Sequence, residues 1–192
     1  MLKCDGSVFI AHENCPGTYA KQHRAGISLL ERLCRERGVQ PAGISVTPTG
    51  KPYFDPPCGL HFSISHTGEH VFCAIAPIPI GLDAEAGAVS EAIARRYLLP
   101  YLPKRAQNTP AEGAHSALAE DDFSLDRAVA WTRRESLGKL TGEGFFVSDV
   151  SCCWKTVFYD AIPVTVAAAQ AFSVAAEWSD SFRQYFQEKN YE

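Results

Sequence analysis

A chain of 192 residues, 46% hydrophobic and 21% charged, has enough apolar content for a buried core and does not read as disordered. Its formal net charge of −4 argues against a general nucleic-acid binder, whose footprint is a basic excess. Met1 to Gly6 lacks a signal-type apolar segment, and no apolar run approaches the ~18 residues of a membrane span.

Seven cysteines, Cys4, Cys15, Cys34, Cys58, Cys73, Cys152 and Cys153, form no C-x-x-C pair and no zinc-type cluster. The expected setting is a reducing cytoplasm, with Cys34 and Cys73 acting as small core hydrophobes. Adjacent Cys152 and Cys153 are sterically poor disulfide partners.

In chain order, Ser7 to Ala11 is a short apolar run expected to form a strand. Tyr19 to Arg37 has helical spacing and stops at Gly38. Its opening turn carries Lys21, His23 and Arg24, cations at the end of the helix dipole that favours anions. They read equally as a solvated face or as a seat for a phosphate. Gln40 to Pro57 is a Pro- and Gly-rich loop containing Gly50-Lys51-Pro52-Tyr53, with Ile44 to Val46 as a short strand. Three strands are expected next: Leu60 to Ser65, His70 to Ala76 and Ile80 to Ala84. In the first, Leu60, Phe62 and Ile64 alternate with His61, Ser63 and Ser65, the pattern of a half-buried strand. The second is apolar almost throughout and should be central.

Val89 to Leu99 reads as a helix stopping at Pro100, followed by a long irregular stretch to Asp122. A second long helix is expected from Ser124 to Thr141, ended by Gly142 and Gly144. Along it Trp131, Glu135 and Lys139 fall four residues apart, hence on one face. Trp131 would pack the helix on a sheet. Phe145 to Val150, Trp154 to Tyr159, Val164 to Ala169 and Phe172 to Trp178 read as β segments. A polar aromatic tail, Arg183 to Glu192, follows. The order of elements predicts an α+β protein of two similar halves, residues 1–82 and 83–192, joined near Gly81 to Gly87.

The chemistry concentrates in a few places. Asp83 and Glu85 stand at i and i+2 near a strand end, on one face and about 7 Å apart. A carboxylate pair of this kind suits a hard cation such as Mg²⁺, with Glu135 as a third acid. It would otherwise only polarise the solvated end of a hairpin. Ser65-His66-Thr67-Gly68 offers hydroxyls, an imidazole and a turn suited to phosphate oxygens. No nucleophile elbow, Walker loop or G-x-G-x-x-G fingerprint is present.

Taken in order, Gly50-Lys51-Pro52-Tyr53, Phe62-Ser63-Ile64-Ser65-His66-Thr67, Gly81-Leu82-Asp83-Ala84-Glu85 and Trp131-Thr132-x-x-Glu135-Ser136-x-x-Lys139-x-x-Gly142-x-Gly144 resemble the 4′-phosphopantetheinyl transferases. The likeness is to the two-half, surfactin-synthetase-activating type. The resemblance implies a pseudo-two-fold fold with the site between the halves, and Mg²⁺-dependent transfer of 4′-phosphopantetheine from coenzyme A to a serine of an acyl or peptidyl carrier protein, releasing 3′,5′-ADP.

It also implies that Asp83, Glu85 and Glu135 surround the Mg²⁺ and that Lys139 contacts the phosphates. Ser65 and His66 would meet a coenzyme A phosphate, His66 at the 3′-phosphate. Lys51 would lie beside the adenine, with Lys21 and Arg24 as further phosphate contacts. Glu135 would accept the serine proton. Arg134 stands where the family often has lysine, and the region before Lys51 is short for the type. A monomer is expected, since a two-half chain can form its site internally, with no nucleic-acid or membrane partner. Arg95-Arg96 and Lys104-Arg105 are candidate docking residues for an acidic carrier. The rival expectation is a non-catalytic coenzyme A or nucleotide-binding module.

Overall fold

A computed structural model describes residues 6–41, 43–102, 120–147 and 150–178. The expected tail at Arg183 to Glu192, the docking candidates Lys104 and Arg105, and Cys4 lie outside these residues.

The N-terminal elements are β1 (Ser7–Asn14), α1 (Tyr19–Glu36), β2 (Ile44–Val46), β3 (Pro52–Phe54), β4 (His61–Thr67) and β5 (His70–Ala76). β1 pairs antiparallel with β5, and β5 with β4, which makes the apolar β5 the central strand of these three, as its composition requires. α1 begins at an N-cap, Thr18, whose side chain accepts from the Lys21 N–H. It buries Ala25, Leu29, Leu30, Leu33 and Cys34 against Ala11, Val71, Cys73 and Ile75 of the sheet. Pro52–Phe54, inside the expected loop, pairs with β2 as a two-stranded ribbon.

The remaining elements are β6 (Ile80–Ala84), α2 (Glu91–Ile93), α3 (Glu120–Thr141), β7 (Cys153–Tyr159), β8 (Ile162–Ala168) and β9 (Ser173–Ala176). The sheet order is β6-β8-β7, antiparallel throughout. β1 pairs with β5 across α1, and β6 pairs with β8 across α3. β9 crosses back to lie parallel to β1. Between the sheets is a shared apolar layer in which Val8, Ile10, Phe72 and Ala74 meet Ile80, Leu82, Val164 and Val166.

Several sequence expectations change. The regular helix expected over Val89 to Leu99 is α2, followed by a π-helical turn at Ala94–Leu98 and a 3-10 turn at Leu99–Tyr101. Phe145 and Phe146 form a turn, not a strand. The ring of Trp131 lies 5.0 Å from that of Phe145, so it anchors this turn to α3.

The polar side of β4 is not solvated either. Ser63, Ser65 and Thr67 are buried, and they form the seam where β4 meets β6. Their hydroxyls accept from the N–H groups of Leu82 (2.9 Å), Ala84 (3.2 Å) and Ala86 (2.8 Å). The unpaired edge of β6 is thereby satisfied by side chains, as a buried backbone edge must be.

Candidate active site

The seam and α3 together build the site. α3 lies directly on β6 because Gly81 has no side chain: a Cβ there would stand 2.0 Å from the Ser136 carbonyl oxygen and 2.4 Å from the Leu140 nitrogen. Gly138 does the same on the opposite side, where a Cβ would meet the Gly144 carbonyl oxygen at 2.3 Å. The helix is buried along two faces. Thr132 bonds Thr165 of β8 at 2.7 Å, while Ala130 and Leu137 join the cluster formed with Val89, Leu98 and Tyr101. It ends as expected, with Gly142 at φ +81° and its N–H on the Gly138 carbonyl at 2.8 Å.

This close seating brings Lys139 onto β6. Its ammonium donates to Asp83 Oδ1 at 2.7 Å and to Ser65 Oγ at 3.1 Å. Ser65 in turn donates to the same Asp83 oxygen at 2.9 Å. Asp83 is therefore a buried carboxylate closed by a cation and a hydroxyl, not the solvated end of a hairpin. Glu85 lies on the same face, as the i, i+2 spacing predicts. It accepts from Thr67 at 3.3 Å and from the Gly87 N–H at 2.5 Å.

Glu135, one helical turn before Lys139, has its carboxyl pushed above the usual range by burial and then by the charge of Asp83. Glu85 adds to the rise, while Lys139 and Arg134 oppose it. These three acids and Lys139 thus form one electrostatic unit. Among the described residues, however, no group of three or more His, Cys, Asp or Glu side chains is arranged to hold a metal ion. The donor set itself, all carboxylate oxygen with its like charges only partly offset by Lys139, suits a hard cation.

His66 points to the opposite face of β4 from Ser65. Its Nε2 is buried with no hydrogen-bond partner among the described residues, and burial, then Lys139 and His23, hold the imidazole toward its neutral form. At the first turns of α1, Arg24 is exposed, whereas the Lys21 ammonium bonds back to the Pro16 carbonyl at 2.9 Å. Lys51 sits beyond Lys139: its ammonium donates to the Leu140 carbonyl at the end of α3, and burial lowers its pKa. Lys51 thus ties the β2–β3 ribbon to the C-terminus of α3, where a cation also complements the helix dipole.

The structure also places Arg134. One guanidinium nitrogen donates to the Tyr101 hydroxyl and the other to the Val147 carbonyl at 2.6 Å. The planar fork clamps α3 to the elements on either side of it, a geometry a lysine would not reproduce. Two contributors escaped the sequence reading. Buried Gln22 donates to the Gly68 carbonyl at 2.7 Å and to the Cys15 carbonyl at 3.3 Å, fixing the turn after His66. Ser63, the other, carries no chemical signal; only its alternation with Ser65 and Thr67 marks the seam.

No family model matches this chain. It is 33% identical over 142 residues to the 4′-phosphopantetheinyl transferase of Bacillus subtilis, covering 69% of this chain and 58% of that protein. Over about two thirds of its length the chain is similar to a curated 4′-phosphopantetheinyl transferase. A second relative, the 4′-phosphopantetheinyl transferase gsp of Aneurinibacillus migulanus, is 30% identical over 137 residues, 64% of this chain and 51% of the relative. The chain thus spans a little over half the length of the curated transferases it matches. Among its described residues, no helix is long and apolar enough to cross a membrane.

Proposed function

We propose that this chain transfers the 4′-phosphopantetheine group from coenzyme A to a serine hydroxyl of an acyl or peptidyl carrier protein, with 3′,5′-ADP leaving. The observation that carries the reading is the joining of Lys139, Asp83 and Ser65 by hydrogen bonds beside Glu135. These are the residues by which the sequence resembles the transferases, brought together from two strands and a helix. The pairing of β1 with β5 across α1 and of β6 with β8 across α3 supports a pseudo-two-fold arrangement of halves 1–82 and 83–192, with the site at their seam and a monomer as the working unit.

In this reading the serine oxygen forms a bond to the β-phosphorus of coenzyme A. The bond from that phosphorus to the oxygen bridging to the α-phosphate breaks. Phosphoryl transfer of this kind is helped chiefly by positioning and by cations placed where charge develops. Lys139, with a third of its side chain exposed, turns part of its hydrogen-bonding capacity from Asp83 to the phosphates. Glu135 accepts the serine proton. Asp83, Glu85 and Glu135 would hold Mg²⁺, which when bound neutralises pyrophosphate charge. His66, with its unpartnered Nε2, Lys51 and the α1 cations Lys21 and Arg24 bind the nucleotide end, His66 at the 3′-phosphate. Of these, Lys21 and Lys51 must give up their carbonyl partners to do so.

The carrier would dock near Arg96, whose guanidinium lies 5.2 Å from the Tyr97 ring centroid, with Phe146 exposed beside Tyr97. Arg95 is already paired with Glu91 at 2.6 Å and contributes less free charge. The expected setting remains the cytoplasm. The experiment is incubation with coenzyme A, Mg²⁺ and several apo carriers, followed by intact-mass measurement. The reading expects one carrier to gain a single phosphopantetheine; no gain on any carrier from a chain that binds coenzyme A would favour a binding module instead.

A further inference from the structure

Asp83 is held by a cation, Lys139. Glu85, one residue beyond the end of β6, is held by other means. Its backbone N–H sits on the Pro163 carbonyl of β8 at 3.3 Å, which fixes where the side chain leaves the chain but not where its carboxylate ends. A glutamate side chain is long and rotamer-rich, and ordering it costs entropy that neighbouring groups must offset.

Two donors supply that hold, and both go to the same oxygen. The Thr67 hydroxyl donates to Glu85 Oε1 at 3.3 Å, and the Gly87 N–H donates to it at 2.5 Å. Thr67 is itself fixed: it is buried on β4, and its oxygen accepts from the Ala86 N–H at 2.8 Å. Gly87 comes this close because it has no side chain, since a Cβ there would stand 2.9 Å from Glu85 Oε1. The other oxygen, Oε2, makes no hydrogen bond among the described residues and is not buried.

We propose that Thr67 and Gly87 are positioning residues that hold Glu85 by Oε1 and so present Oε2 to the divalent cation. The inference rests on the reading of Asp83, Glu85 and Glu135 as the acids that hold Mg²⁺. Asp83 follows the same rule, because Lys139 and Ser65 both donate to its Oδ1. Each of these two acids thus gives one oxygen to the protein. A carboxylate held in this way binds a metal through its remaining oxygen, which suits a small ion that draws on few carboxylates. Hydrogen bonds from outside the ligand set are what orient such carboxylates.

The test is binding of Mn²⁺ alone, a paramagnetic ion with the same liking for carboxylate oxygen, followed by electron paramagnetic resonance without coenzyme A or carrier. The proteins are the full wild-type chain, Thr67→Val, Thr67→Ser, Gly87→Ala and Glu85→Gln, with the folding of each checked by melting. Thr67→Val removes the hydroxyl and also leaves the Ala86 N–H unpaired, so it should melt lower. Gly87→Ala displaces the Glu85 carboxylate without touching that bond, and it decides the matter if Thr67→Val does not fold. Both should weaken Mn²⁺ about tenfold, the lower end of what losing such an outer bond costs a metal site. Thr67→Ser should match the wild type. A wild type that binds no Mn²⁺, or a Glu85→Gln that binds it equally well, overturns the metal reading of Glu85 and this inference with it. Where the wild type binds and Glu85→Gln is impaired, wild-type affinity in Gly87→Ala or in folded Thr67→Val overturns the positioning alone. Loss in Thr67→Ser as large as in Thr67→Val overturns the role of the hydroxyl.

Discussion

At the level of single residues, the site sets a half-buried acid against a buried one. Asp83 is satisfied by Lys139 and Ser65, but Glu135 is half-buried, and that burial together with the Asp83 charge raises its pKa. A carboxyl whose folded pKa lies above its unfolded value costs stability once it ionises, and it does so above the folded pKa. Glu135→Gln removes the charge while keeping the shape. Its expected result at neutral pH is a melting temperature equal to or slightly above the wild type, with the gain fading as pH falls. A clear loss of stability at neutral pH would mean that Glu135 makes a structural bond there.

Residue placement was legible in the sequence where spacing is regular: Asp83 with Glu85, and Glu135 with Lys139, are i, i+2 and i, i+4 pairs. The partners of Arg134 and Lys51 were not. One binds Tyr101 and Val147, the other the Leu140 carbonyl, and backbone acceptors of this kind leave no trace in residue type.

At the level of elements, the contact of α3 with β6 decides the site. A methyl group on Gly81 would strike the helix backbone, which has no rotamer with which to evade it. Only a shift of α3 relieves the clash, and Glu135 and Lys139 move with the helix. Gly81→Ala is expected to cost at least about 1–3 kcal/mol and to lower the melting temperature by several degrees. An unchanged melting temperature, followed by circular dichroism, would show that the close seating is not needed.

The long elements followed from periodicity and stop signals: α1 and α3 end within a residue or so of the expected positions. The errors lie where local pattern is indifferent to surroundings. Phe145 and Phe146 look like strand residues, yet the turn they form is held by a tilted ring contact with Trp131 and edge-on contacts with Tyr97. The Ser63, Ser65 and Thr67 side of β4 reads as solvent-facing because nothing local announces that a second sheet covers it.

At the level of the molecule, the two sheets close on an aromatic cluster remote from α3. His12 of β1 bonds His70 of β5 at 3.0 Å and lies 3.8 Å from the Tyr159 ring centroid. Trp178 closes the group with its indole N–H on the Phe158 carbonyl at 2.7 Å. Burial, reinforced by His70 and opposed by Asp160 and Glu177, lowers the His12 pKa from 6.5 to about 4. For a depressed histidine, stability is full above the unfolded pKa and is lost as pH falls toward the folded value. The wild type should therefore melt progressively lower between pH 6.5 and about 4, and His12→Phe should flatten that slope. An equal slope in both proteins would assign the acid sensitivity to other groups.

The mixture of helices and antiparallel strands could be seen in the order of elements. The parallel return of β9 to β1 could not, because pairing across the whole chain has no local signature.

The central claim is that the seam of β4, β6 and α3 is where phosphopantetheine is transferred. The most direct measurement is the mass of an apo carrier incubated with coenzyme A and Mg²⁺ beside the wild type or Glu135→Gln, with the folding of both checked by melting. The account predicts one added phosphopantetheine with the wild type and none with the folded variant. A near-normal mass gain with Glu135→Gln would contradict it.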